Sequence, residues 1–172
     1  LNIAFKIKWL VDVSHLMAMP KDDIALLLNK SGFVKQLIDA IPRFKDLVLI
    51  LIENADEKLK ILLDKTATPL ADKFIKSTGD ISALLITLSQ EKISVVCESM
   101  KDKLPKIIKS GEDLGKVLKH LSPEQCAAAC TAINDWLPEI IRSGEDLGAV
   151  LKHLSPEQCR AAYPIMKDKL PH

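Results

Sequence analysis

Four thiols, at Cys97, Cys126, Cys130 and Cys159, are the residues whose type offers the most chemistry: two disulfides, a metal site, or plain burial. All four fall on one apolar helical stripe, with Cys126 and Cys130 one turn apart on a single face. That spacing favours free buried thiols acting as small apolar side chains, which fits a reducing, cytosolic environment. A zinc site built from Cys126, Cys130 and His120 or His153 is the sharper alternative. Its ligands would come from a Cys-x3-Cys helix face without the usual knuckle, so no metal or other cofactor is expected.

His120 and His153 occupy equivalent positions at the end of a helix, where a donor meets free carbonyls, and a capping role is expected of both. Glu112-Asp113 and Glu145-Asp146 invite comparison with paired catalytic acids. They recur together with the serine that opens a helix, whereas an active site is usually single, so they are read as caps. Phosphate loops, the metalloprotease His-Glu-x-x-His and kinase signatures are absent from the sequence. No catalytic residue is named and the chain is not expected to be an enzyme. The rival reading, a helical catalytic domain with dispersed site residues, requires one deep cleft with perturbed titratable groups. Trp136 is replaced by Lys103 and Lys169 at equivalent positions, so it is expected at the surface. There, beside Asn134 and Asp135, two roles are open: anchoring a partner, or covering the Pro138 turn or the next hairpin.

These residues are positioned by a tandem repeat. Shifting the chain by 33 places aligns Pro105–Leu137 with Pro138–Leu170 at 23 identities in 33 positions, and Asp72–Leu104 aligns with the first of these at 12. Each copy predicts two helices. The first carries Ile81, Leu84, Leu85, Leu88; Leu114, Val117, Leu118, Leu121; and Leu147, Val150, Leu151, Leu154, an i, i+3, i+4, i+7 stripe in every copy. Its starts are set by Ser110-Gly-Glu-Asp113 and Ser143-Gly-Glu-Asp146. The second helix opens with the capping boxes Ser122-Pro-Glu-Gln125 and Ser155-Pro-Glu-Gln158. Its stripe runs Ile93, Val96, Cys97, Met100, Leu104; Cys126, Ala129, Cys130, Ile133, Leu137; and Cys159, Ala162, Tyr163, Met166, Leu170. Pro105 and Pro138 are expected to stop it, and Pro164 to kink or break its last copy. Upstream, Asp23–Leu28, Phe33–Ile41 and Asp46–Asp64 keep helical spacing and are read as two degenerate hairpins.

A hairpin with one apolar face cannot bury it alone. The expected fold is therefore all-α, with tandem helical hairpins stacked as a solenoid or compact superhelix. Residues 1–71 form a leucine-rich helical region and 72–171 three repeats of one continuous domain. The start at Leu1, without methionine or a basic-then-apolar leader, reads as a segment cut from a longer protein.

Composition agrees: 48% of the 172 residues are hydrophobic but only 4% aromatic, a leucine-rich balance that favours helix over strand. A net charge of +1 supplies no field for nucleic acid or an anionic membrane, and neither is expected as partner. The longest apolar run, Leu47–Ile52, is far short of the roughly 20 residues of a membrane span.

The ankyrin Thr-Pro-Leu-His start and the tetratricopeptide Trp and Gly-Tyr positions are missing. Leu121-Ser-Pro-Glu-Gln125 is similar to the opening of the repeats in bacterial DNA-reading activator-like effectors. Those need a Gly-Gly after the base reader, where this chain has Leu137-Pro138 after Asn134-Asp135-Trp136. The blocks Leu121-Ser-Pro-Glu-Gln125, Met100-Lys-Asp-Lys-Leu-Pro105 and Ile107-Ile-Lys-Ser110 resemble those of helical repeats in type IV secretion effectors of intracellular bacterial pathogens, over residues 72–171. That resemblance implies a host-directed protein, secreted into the host cell, whose repeats serve targeting or binding; it carries over no catalytic residue. The partner expected is a host protein. Positions that differ between the two closest copies (Lys116 and Ala149, Ala127 and Arg160, Asn134 and Lys167, Trp136 and Lys169) are expected at the surface, with Trp136, Arg160, Asn134 and Lys167 as candidate contacts.

Overall fold

The computed structural model describes residues 13–170, and every regular element among them is helical. The first twelve residues of the expected 1–71 region, and Pro171 of the expected array, lie outside the described residues. The chain divides into two compact units, Leu1–Phe74 and Ile75–His172.

In the first unit, α1 (Val13–Ala18), α2 (Lys21–Leu28), α3 (Phe33–Asp39), α4 (Phe44–Glu53) and α5 (Asp56–Phe74) follow one another. Gly32, at φ 76°, takes the left-handed conformation that turns the chain into α3. Where two degenerate hairpins are expected, α2 and α3 both pack on α5. The Asp46–Asp64 stretch of helical spacing is shared between α4 and α5, which meet at Asn54-Ala55, and α5 continues to Phe74 through Pro69. Lysines of α5 close the carbonyl ends of other helices: Lys58 Nζ donates to Met17 O at 2.6 Å, and Lys73 Nζ to Ile38 O and Ile41 O at 2.9 and 2.7 Å.

The second unit contains α6 (Thr78–Leu85), α7 (Gln90–Ser99), a 3-10 turn (Leu104–Lys106), α8 (Gly111–Leu118), α9 (Pro123–Ala132), α10 (Leu137–Ile140), α11 (Gly144–Leu151) and α12 (Pro156–Lys167). Like packs with like: α8 lies against α6 and α11, and α9 against α7 and α12. The stripes that the spacing predicts are the buried faces in the first two copies; in the third only Leu147, Val150, Ala162 and Met166 of them are buried, and Tyr163 is 41% exposed. Ile81, Leu84, Leu85 and Leu88 are buried on α6 and its C-terminal turn, and Leu114, Val117, Leu118 and Leu121 on α8 and its own. Helix starts coincide with the capping serines. Ser110 and Ser143 accept from the amides of Asp113 and Asp146, and Ser122 and Ser155 from those of Gln125 and Gln158.

Two expectations fail. Pro105 and Pro138 do not end the second helix of their copies. It ends at Ser99 and Ala132, and the prolines stand in the first turn of the short helices that follow, where no N–H is needed. Nor does Pro164 break α12, which runs unbroken to Lys167. A proline φ suits a helix, and the carbonyl left without its usual donor belongs to Arg160, an exposed residue on the same outward face as exposed Pro164.

Candidate functional site

The chemistry-bearing residues of the second unit converge on the seams between repeats. Gln158 completes its capping box, its Oε1 accepting from Ser155 N–H at 2.8 Å, while its Nε2 reaches the preceding copy. There it donates to Leu118 O, Lys119 O and Leu121 O at 3.3, 3.1 and 2.6 Å, the carbonyls at the end of α8. Gln125 repeats this one copy earlier, onto Leu85 O, Ile86 O and Leu88 O at 3.3, 3.1 and 2.9 Å. A helix end leaves its last carbonyls unpaired, and here the next repeat fills them. The sequence identifies the glutamine as half of a capping box; its far amide, acting 37 to 40 residues away, is invisible to local motif reading.

A second seam joins α8 to the end of α11. Glu112 Oε2 lies 2.6 Å from Lys152 Nζ and its Oε1 2.9 Å from His153 Nε2, with Lys116 Nζ at 3.8 Å. The Lys152 and His153 hydrogen bonds hold the Glu112 carboxyl down at about 2. His153 thus departs from the expected capping role: its ring reaches back to the previous repeat. His120 is exposed, because the position equivalent to Glu112 in the copy before it is Gly79, which has no carboxylate to offer. Asp113 and Asp146 act locally, accepting from Lys109 N and Arg142 N at 3.1 and 3.0 Å. The α8 helix passes so close to its neighbour that a Cβ on Gly111 would lie 2.1 Å from Asp146 O.

All four cysteines are free; Cys97, Cys126 and Cys130 are buried and Cys159 half-buried. Burial pushes the thiols of Cys97, Cys126 and Cys130 up to about 12. Cys126 spends its S–H on Leu118 O at 3.4 Å. Among the described residues no three His, Cys, Asp or Glu side chains converge as a metal site would need. One open depression in this unit lies between the starts of α7 and α9 and is lined by Ser89, Gln90, Glu91, Ser122, Glu124 and Gln125, with the hydroxyls of Ser89 and Ser122 accepting from the amides of Lys92 and Gln125 as helix caps. No described helix is long and apolar enough to cross a membrane.

The residues proposed for partner binding are spread along the outward side. Arg160 and Lys167 are exposed on α12, seven residues apart and so on one face. Their equivalents on the adjacent helix α9 and its terminal turn are Ala127 and Asn134, both half-buried. Trp136 is half-buried at the entry to α10, its backbone N–H donating to Ile133 O at 3.1 Å. Asn134 Oδ1 is buried without a hydrogen-bond partner. None of the four named pairs of diverging positions is buried in either copy. A further pair the spacing did not single out, Cys130 and Tyr163, differs in burial: the thiol is enclosed, and the phenol is 41% exposed. Compared with family models, with curated proteins and with solved structures, the chain matches none of them.

Proposed function

We propose that residues 72–171 form a short solenoid of helical hairpins whose outward face binds another protein. The observation that carries this reading is the division of labour between copies. Positions at the seams between repeats, such as Leu114, Leu118, Gln125 and Glu112, recur as Leu147, Leu151, Gln158 and Glu145. By contrast, Lys116, Ala127, Asn134 and Trp136, none of them buried, become Ala149, Arg160, Lys167 and Lys169. Stacking fixes the first group, and the second is free to be shaped by what it touches. Trp and Arg dominate interface energies, which makes Trp136 and Arg160 the principal contacts, with Asn134 and Lys167 beside them. The resemblance to secretion-effector repeats extends the proposal to a bacterial effector that engages a host protein.

The test is capture from host-cell lysate on the immobilised chain, followed by calorimetry of the isolated partner with the chain and with Trp136→Ala/Arg160→Ala. A loss of at least about tenfold in affinity, with unchanged helical circular dichroism, is expected. Unchanged affinity in the folded double variant would remove this face from the interface and leave the array as a spacer.

A further inference from the structure

In α8 the C-terminal carbonyls, the Glu112 carboxylate and the glycine pair Gly111 and Gly115 are all covered by the next repeat. In α11 the same features recur uncovered. Gly144 and Gly148 have open space where a Cβ would stand, whereas a Cβ on Gly111 or Gly115 would strike Asp146 O or the His153 ring. Exposed Glu145 makes no ion pair among the described residues, although its equivalent Glu112 holds Lys152 and His153. No described side-chain amide reaches the carbonyls of Leu151, Lys152 and Leu154, the equivalents of those that Gln158 fills. Leu151 and Leu154 are half-buried, while Leu118 and Leu121 are 0% and 3% exposed.

We infer that the outer face of α11 is a docking surface for one more copy of this 33-residue repeat. The occupant presents Lys-His at the end of its first helix to Glu145. It lays that helix's backbone over Gly144 and Gly148. With the glutamine of a Ser-Pro-Glu-Gln box it fills the carbonyls of Leu151, Lys152 and Leu154. The chain itself states what such an occupant looks like, because the same acceptor set is already occupied in this way at the preceding seam. This inference rests on the stacking reading above and is independent of which protein the outward face binds. A second copy of the intact chain does not serve, since its Lys152, His153 and Gln158 are already engaged with its own α8.

The experiment joins a duplicate of residues 139–170 after Pro171, which stands in register with Pro138, and follows urea denaturation and amide exchange of the extended chain. The added copy is expected to fold, raising helical ellipticity and the midpoint of the second unit, and to slow exchange at Lys152 and His153 by about tenfold. The sign of Gly144→Ala is the sharper readout. It is tolerated in the 172-residue chain, where nothing lies within 4 Å of the new Cβ, but it lowers the midpoint of the extended chain. An added copy that stays unfolded, or a Gly144→Ala variant equally tolerated in both chains, overturns the proposal. Gln158→Ala, measured alongside in the 172-residue chain, separates the two readings. If it lowers the midpoint while the added copy docks nowhere, the stacking stands and the end surface falls.

Discussion

Replacing Gln158 by alanine removes a side chain that is 6% exposed and tied at both ends. Its oxygen holds the Ser155 amide at 2.8 Å, and its nitrogen faces three carbonyls of the preceding copy at 2.6 to 3.3 Å. The amide carries only two protons, so two of the three carbonyls are bonded at full strength at once. Three bonds at a net contribution of about 1 kcal/mol each set an upper value near 3 kcal/mol. Leu118 O retains the Leu121 amide at 2.9 Å, which lowers the expected loss to about 2 kcal/mol. With a urea slope of roughly 1–3 kcal/mol per molar, the midpoint falls by about 1 M. Trp136 emission in a Trp9→Phe background follows the second unit alone, since these are the two tryptophans of the chain. Gln158→Glu keeps the shape but turns a carboxylate toward three carbonyl oxygens. That group's folded pKa is raised, so the variant is closest to wild type below about pH 4.3 and loses stability as pH rises above it. If the alanine and glutamate variants unfold within about 0.5 kcal/mol of wild type at pH 7, the glutamine seam does not hold the repeats together.

Other outcomes follow from the same contacts. Leu118→Asp buries a carboxylate at a fully enclosed site and should lose about 4 kcal/mol or more, read as lost helical ellipticity; a folded, stable variant would mean the face is misassigned. A thiol reagent should modify half-buried Cys159 first and reach Cys97, Cys126 and Cys130 only as the unit opens, with four equal rates refuting their burial. Glu112 titrates at about 2 when folded against 4.5 normally, so its contribution is present above about pH 4.5 and lost as pH falls toward 2. Glu112→Gln should flatten the acid limb of the stability curve over that window, and an unchanged limb would show that the Lys152 and His153 pairing adds nothing in solution.

Elements governed by neighbouring residues are legible in the sequence. Serine caps and apolar stripes act within four residues, and so the starts of α8, α9, α11 and α12 and the inner faces of α8 and α9 follow from spacing alone, whereas on α12 the stripe position Tyr163 is exposed. The ends of helices are less legible. Met100 and Ile133 leave the helix early so that Leu104 and Leu137 can be buried in the next short element, a requirement of packing that no local signal announces. Pro164 misleads for the converse reason: a helix-breaking residue costs little where the bared carbonyl faces solvent. The pairing of His153 with Glu112 spans 41 residues, one repeat plus the length of a helix, and it needs the stacking to be known before it can be read. Of the proposed contact face, divergence between copies indicates the exposure of Arg160 and Lys167, but not the half-burial of Asn134 and Trp136 or the buried, unpartnered oxygen of Asn134.

Every long-range bond of the seams joins a residue to one lying 37 to 41 positions earlier. The molecule therefore keeps its register by counting along the chain. Duplicating or deleting a whole block of 33 leaves each glutamine opposite a helix end, so such genetic events change the length of the array without redesigning a joint. Losing or gaining a single residue within a copy instead moves the amide off its carbonyls and the imidazole off its carboxylate together. Variation in this protein is thus expected to be quantised, permissive in whole repeats and intolerant of fractions of one.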